Sequence, residues 1–208
     1  MDFAIINSAH RVCICKLLCI FAPAIFNMSV WRNIFCVITS PHYGWELIND
    51  SNIPVEKVMR SAYVPLLFIL AFSCFVPMVY DKTYPFSRAL MTGIVMFWTY
   101  ILSYYSIVFI LGTIYPDMIK TQGATARMND FTLYNLIFLV LLMILRNLLP
   151  SDFTPVLFLL LYLPWMSYRG TEHLFVEKEK VSKFVVISSV LLLGVPLAIS
   201  ALLNLFVI

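Results

Sequence analysis

The sequence predicts an all-α polytopic membrane protein: a bundle of five transmembrane helices with an amino-terminal interfacial amphipathic helix. Three observations carry that expectation. Apolar residues make up 62% of the 208 and charged residues only 12%, against roughly 25% charged in soluble domains, and mean hydropathy is +0.91. The apolar residues fall in long runs rather than being scattered. Lys and Arg concentrate in alternate connections between those runs, as they do where one membrane face is cytoplasmic. No polar stretch reaches the roughly 50 residues of a small soluble domain, and no arginine-rich or aromatic-studded patch suggests nucleic acid.

Residues 1–27 carry Arg11 and Lys16 ahead of the apolar run Leu17–Phe26. That run resembles the core of a secretory signal, but it contains Pro23 and no small-residue cleavage site follows it. It is also shorter than the ~20 residues of a spanning helix. Residues 1–27 are therefore read as an amino-terminal extension outside the native protein, which starts at Met28, and residues 28–208 as the membrane domain. The five cysteines, Cys13, Cys15, Cys19, Cys36 and Cys74, are odd in number and lie outside polar loops, which argues against a disulfide scaffold. Cys13 and Cys15 have no second Cys or His pair beside them, so no metal site is expected.

From Met28, Val30, Trp31, Ile34, Phe35 and Ile38 fall on one helical face, with Ser29, Arg32, Asn33 and Thr39 elsewhere. A helix of that pattern lies in the interface plane, and Pro41 ends it. The stretch SPHYGWELINDSN reads as turn and loop around Gly44. Within it His42, Trp45 and Glu46 read as interfacial anchors, because aromatic residues favour the headgroup level. Pro54 then opens a helix in a first-turn position, with Glu56 at its positive end.

The expected spans are Ser61–Tyr80, Ala89–Tyr115, Phe131–Leu149, Phe153–Tyr168 and Phe184–Ile208, each long enough or nearly so for ~30 Å of hydrocarbon. The second must tilt or bend. Between the third and fourth, Asn147–Pro155 leaves room only for a hairpin turn, with Thr154 as N-cap and Pro155 at the first helical position. Pro65, Pro77, Pro164 and Pro196 each remove a backbone donor, and kinks are expected there.

With the amino end cytoplasmic, that side holds Arg11, Lys16, Arg32, Lys57, Arg60, Lys120, Arg127, Arg169, Lys178, Lys180 and Lys183, leaving Lys82, Arg88 and Arg146 outside. The positive-inside rule then places the amino terminus in the cytoplasm and the carboxyl terminus outside. No ionisable side chain lies deep in any expected span, Arg146 being near enough to a helix end to snorkel. Proton relays and ion pathways are marked by such buried groups, so a coupled pump is not expected. Asp117, Asp130, Asp152, Glu172, Glu177 and Glu179 all fall in expected loops, in no acid/base arrangement. No catalytic, cofactor or metal residue is assigned, and no enzymatic activity or cofactor is expected.

Two groups of polar residues are candidates for contact. Thr92, Thr99, Ser103, Ser106 and Thr113 recur down one face of the second span, and Ser188, Ser189, Ser200 and Asn204 dot the fifth. Such hydroxyls serve close helix packing and interhelical hydrogen bonds; the competing reading is a polar groove for a small substrate. Between the last two spans, the charged stretch Arg169–Lys183 supplies Arg169, Lys178, Lys180 and Lys183 as candidate contacts to a protein partner or anionic lipid. The plainer reading is a solvated linker of alternating sign whose lysines set topology. Glu172 and His173 read as ordinary loop polarity.

The helix ending LYLPWMSYRGTEHLF, the short charged loop and the closing apolar helix, with WRNIFCVITSPHYGWELI ahead of five crossings, resemble the prokaryotic branch of the Yip family, the Ypt/Rab-interacting membrane proteins. The resemblance covers residues 28–208, with Pro41, Gly170 and the aromatic residues before Gly170 as landmarks. It implies a five-helix integral membrane protein of the bacterial cytoplasmic (inner) membrane without known enzymatic chemistry. The Asp-Leu-Tyr-Gly-Pro-like motif of eukaryotic members and their Gly/Tyr/Pro-containing helical motif do not occur here, so Rab binding is not carried over. Two functional readings follow: a non-catalytic membrane scaffold or interaction protein of Yip type, or a small permease or transporter subunit using the hydroxyl face.

Overall fold

The computed structural model describes residues 28–81, 83–115, 124–149, 154–174, 176 and 179–207. The expected extension 1–27, the tip of the 147–155 hairpin, and Lys178 lie outside the described residues. Every regular element among the described residues is helical. In chain order they are α1 (Met28–Thr39), α2 (Pro41–Ser51), α3 (Val55–Val58), a π-helical turn (Met59–Tyr63), α4 (Val64–Ser73), α5 (Pro77–Tyr80), α6 (Phe86–Ile114), α7 (Ala124–Leu148), a 3-10 helix (Thr154–Leu161), α8 (Tyr162–His173) and α9 (Val181–Val207).

Four stretches are long and apolar enough to cross a membrane: Val55–Tyr80, Phe86–Ile114, Thr125–Leu148 and Val181–Leu205. They expose large apolar side chains outward, among them Phe72, Trp98, Phe109, Val190 and Leu205, a surface compatible with a hydrocarbon surrounding and costly in water. The expected crossing at 153–168 is not one of the four. Its carboxyl half contains Pro164, Trp165, Ser167 and Tyr168, which dilute the apolar run that precedes them.

The core is organised around α7. All ten residues from Phe131 to Val140 are buried, and 67% of this span is covered by the rest of the chain, against 22% for α9. A helix hydrophobic nearly all round belongs in the middle of a bundle, and α1, the α3–α4 helix, α6, the 3-10 helix, α8 and α9 all pack on it. The helix starts seven residues before the expected Phe131. Ala124–Asn129 continues it, so Asp130 lies on a helix and not in a loop.

Prolines shape the backbone where expected, each differently. Ahead of Pro65 the helix widens into the π-turn, with the Val64 N–H bonded to the Met59 carbonyl. A regular α-helix would set the Pro65 ring against the carbonyl four residues back. Before Pro77 the helix stops and tightens, with bonds from the N–H groups of Cys74, Phe75 and Val76 to carbonyls three residues behind. Pro164 lies just past the 3-10 to α transition, and Pro196 stands inside the continuous α9. Beyond α5, the Asp81 carboxylate accepts hydrogen bonds from the Thr83 N–H at 2.9 Å and hydroxyl at 2.6 Å, which hold it below the usual carboxylate range.

Two expectations near the amino end are corrected. The stretch after Pro41 is the helix α2, not a loop: Pro41 starts a new helix from its first turn, as its fixed φ allows, and Asn52 closes it in the left-handed region at φ 44°. Gly44 permits this, since a Cβ there would stand 2.4 Å from the Val37 backbone. α1 and α2 thus form a close helical hairpin. Trp45 is no interfacial anchor; it is 2% exposed, while His42 and Glu46 stay outside. In α1 the buried face is Val30, Asn33, Ile34, Cys36 and Val37, with Phe35 exposed, a rotation from the expected apolar stripe because α2 and α7 cover it. Cys36 and Cys74 are buried, as expected of small apolar side chains.

Gly170 of α8 faces Phe131 and Trp45, and an added Cβ would lie 2.8 Å from the Phe131 ring and 3.1 Å from the Trp45 ring. At Gly194 of α9 nothing stands within 4 Å. Gly170→Ala is therefore expected to destabilise the protein by about 1–3 kcal/mol, as overpacking does, while Gly194→Ala is expected to be neutral or to stabilise it by up to about 1 kcal/mol through helix propensity. Thermal unfolding of both variants in detergent checks the pair; equal midpoints would refute this packing.

Candidate functional site

One end of the bundle gathers the charge. It is formed by α3, the carboxyl end of α6, the amino end of α7, the carboxyl end of α8 and the amino end of α9. Lys57, Arg60, Arg127, Arg169, Lys180 and Lys183 belong to it, while Arg88 and Arg146 belong to the opposite end. At that opposite end the Asn147 amide donates to Ser73 Oγ at 2.9 Å, tying α7 to the break before Pro77.

The expected charged loop is shorter than its sequence suggests. Residues Arg169–His173 continue α8; the aromatic run before them and the pairing of α8 with α7 keep the helix going past the first charge. Arg169 lies over the Trp165 ring, 4.9 Å from its centroid, and 5.8 Å from that of Tyr168. Its Nη1 stands 3.6 Å from Glu172 Oε1, one turn on. The guanidinium is held on an aromatic shelf with a carboxylate beside it, a contact that strengthens where water is displaced. Lys180 and Lys183 are exposed at the start of α9. Between the two helices is a cleft of about 820 Å³ lined by Tyr168, Thr171, Glu172, Val176, Val181, Ser182, Val185 and Val186.

His173 is not loop polarity. It is 7% exposed, stacked on Trp45 with ring centroids 5.5 Å apart and planes 27° apart. Trp45 also stacks on Phe131 at 5.9 Å, meets Tyr134 edge-on at 6.1 Å and donates its Nε1–H to the Met166 carbonyl at 3.2 Å. This one side chain joins α2, α7 and α8. Neither ring nitrogen of His173 has a hydrogen-bond partner. Burial, with the nearby Arg127 charge adding repulsion, pushes its pKa down to about 4. The signal was available in sequence only as the spacing of His173 three residues after Gly170, which puts both on the face that meets α7.

Two hydroxyls of this face of α6, those of Ser103 and Thr113, bond to their own helix. Thr99 and Ser103 are buried, and Ser103 Oγ donates to the Thr99 carbonyl at 2.6 Å. Thr113 is exposed and donates to the Phe109 carbonyl at 2.9 Å. Thr92 and Ser106 are half-buried. The structure does not gather the five into one polar groove. Thr99 Oγ1 alone of the three buried or bonded hydroxyls lacks a partner.

A second polar group, missed in the sequence, lies on α7. Asn135 donates to the Phe131 carbonyl at 2.7 Å and accepts from Ser167 Oγ at 3.2 Å, a buried bridge between α7 and α8. Asp130, half-buried one turn earlier, has Glu56 and Tyr134 as electrostatic neighbours, and its Oδ1 is shielded from solvent without a hydrogen-bond partner. Asn33 of α1, wholly buried, donates to Ser51 Oγ at 2.9 Å. Among the described residues no three His, Cys, Asp or Glu side chains stand close enough to hold a metal ion.

No protein-family profile, no characterised relative and no solved structure matches this chain. The site is therefore read from its own geometry.

Neutral His173 favours the fold. Its native pKa is depressed from 6.5 to about 4, so the stability it contributes is complete above pH 6.5 and is lost as pH falls toward 4, amounting to roughly 3 kcal/mol at ~1.4 kcal/mol per unit. His173→Phe keeps the stack on Trp45 and removes the titration. Between pH 6.5 and 4 the variant is expected to lose less stability than the wild type, measured by unfolding in detergent; parallel curves would refute a buried neutral imidazole.

Proposed function

We propose that this chain is a non-catalytic membrane scaffold or interaction protein whose charged end, carrying Arg169, Lys180 and Lys183 together with Lys178, engages a partner or anionic lipid at the cytoplasmic surface. The observation that carries this reading is the lip of the α8–α9 cleft, where Arg169 rests on Trp165 and Tyr168 in the midst of the basic residues. Aromatic residues with Lys and Arg are what an interfacial contact requires. A Yip-like membrane domain of the bacterial inner membrane is consistent with this arrangement.

The reading includes a fifth crossing. Phe138 meets Tyr162 at 5.7 Å, Asn135 bonds Ser167, and Gly170 lies against Phe131, so 162–170 runs antiparallel to α7 in constant register. The eight 3-10 residues and the α residues up to Tyr168 at about 2.0 and 1.5 Å rise give roughly 26 Å, close to the ~30 Å core. The tighter winding lengthens a segment that would be too short as pure α-helix. With five crossings the positive-inside rule favours a cytoplasmic amino terminus, Arg32 and the six basic residues of the charged end then facing the cytoplasm against Arg88 and Arg146 on the other side.

Purification in mild detergent with crosslinking tests the scaffold. Lys180→Glu with Lys183→Glu is expected to remove a co-purifying protein while single-cysteine labelling shows unchanged topology. Retention of the same partners by the double variant overturns the assignment of this face.

Asp130 favours a second reading, a small permease, because an ionisable group inside a membrane span is costly and commonly functional. In proteoliposomes, a substrate-specific flux lost in Thr99→Val, Ser103→Val or Asp130→Asn would replace the scaffold reading; no flux above that of empty vesicles is expected.

A further inference from the structure

We infer that the cleft between α8 and α9 binds the headgroup of a primary-amine phospholipid of the phosphatidylethanolamine class, its ammonium on Glu172 and its phosphate on Arg169. The inference rests on the reading above that this end lies at the cytoplasmic interface; the lipid it names is zwitterionic, in place of the anionic lipid considered there.

The cleft carries both signs of charge. Glu172, 57% exposed at its side chain, lines it, and Arg169, 29% exposed, stands 3.6 Å from that carboxylate. The ion pair is long, on the surface and one helical turn apart, a geometry that contributes little by itself. A ligand with an ammonium and a phosphate a few bonds apart satisfies both groups better than either satisfies the other. Arg169 is pre-positioned for the phosphate by Trp165 and Tyr168, and its planar fork suits phosphate oxygens. A headgroup of single negative charge would leave Glu172 repelling it.

The rest of the cleft fits the remainder of such a lipid. Val181, Val185 and Val186 form an apolar strip along the first turns of α9, and Val186 is 59% exposed, so an acyl chain can leave the cleft along the outer face of that helix. Ser182 offers a hydroxyl at the level of the glycerol. About 820 Å³ accommodates a headgroup and the beginning of a chain, within the ~300–1,000 Å³ of ordinary ligand sites. A primary ammonium donates hydrogen bonds to a carboxylate; a quaternary one cannot.

The test is native mass spectrometry of the full chain from nanodiscs holding equal amounts of phosphatidylethanolamine, phosphatidylcholine and phosphatidylglycerol. The wild type is expected to retain one phosphatidylethanolamine at least about fivefold over either competitor. Glu172→Gln is expected to abolish the preference over phosphatidylcholine while retaining phosphatidylglycerol, and Arg169→Gln to weaken all three. Arg88→Gln, at the opposite end, is expected to change nothing. Equal retention of the three lipids, a preference for phosphatidylglycerol, or a phosphatidylethanolamine preference that survives Glu172→Gln overturns the inference. Loss of a protein partner in the charge-reversal experiment is read independently, so the scaffold can stand if the lipid assignment falls.

Discussion

The enclosure of α7 is the constraint on which the rest of this structure depends. With Phe131–Val140 buried on every side, a polar atom there can find a partner only within the protein; Thr132 Oγ1 finds none. Asn135 finds two, through its own helix and through Ser167. That bridge sets the rotation and height of α8 against α7. Once these are set, Gly170 falls opposite Phe131, and the space left by its missing side chain is where Trp45 enters. The α1–α2 hairpin is thus held to the bundle by a position that the central helix determines.

The outer helices answer a different demand. Their backbone donors and acceptors must be satisfied within each segment, yet three of them contain proline. The π-turn before Pro65, the tightened turn before Pro77 and the 3-10 helix ahead of Pro164 are three ways of absorbing a missing N–H without an open edge in the hydrocarbon. Tyr63, on the π-turn, donates its hydroxyl to the Tyr100 carbonyl at 2.7 Å, and Tyr162 donates to the Ile38 carbonyl near the end of α1 at 2.8 Å. Aromatic hydroxyls here act as clips between helices.

Much of this was legible in the sequence, and the reasons for the rest are specific. Long apolar runs marked four spans, because within one segment only a helix satisfies the backbone in lipid; their ends fall within three residues except at the starts of the first and third, which lie earlier, at Val55 and Thr125. The start of α7 was placed too late because Arg127, Asn129 and Asp130 resemble a loop until one sees that α1 and α3 cover them. The α2 helix was hidden by Pro41 and Gly44, both usual turn residues; here one starts the helix and the other lets it approach Val37. Exposed and buried tryptophan look identical in sequence, so Trp45 read as an anchor. The charged α8–α9 junction was visible as composition, but the pairing of Arg169 with Glu172 on an aromatic shelf required the helix to continue through them.

The Asn135–Ser167 bridge spans 32 positions of the chain, and that separation has a consequence for biogenesis. At ~5–20 residues per second the ribosome adds the interval in roughly two to six seconds. During that wait Asn135 and Thr132 have left the ribosome without the helix that will cover them. The helix is apolar enough to enter the hydrocarbon by itself, so what waits for Ser167 is its fixed rotation against α8.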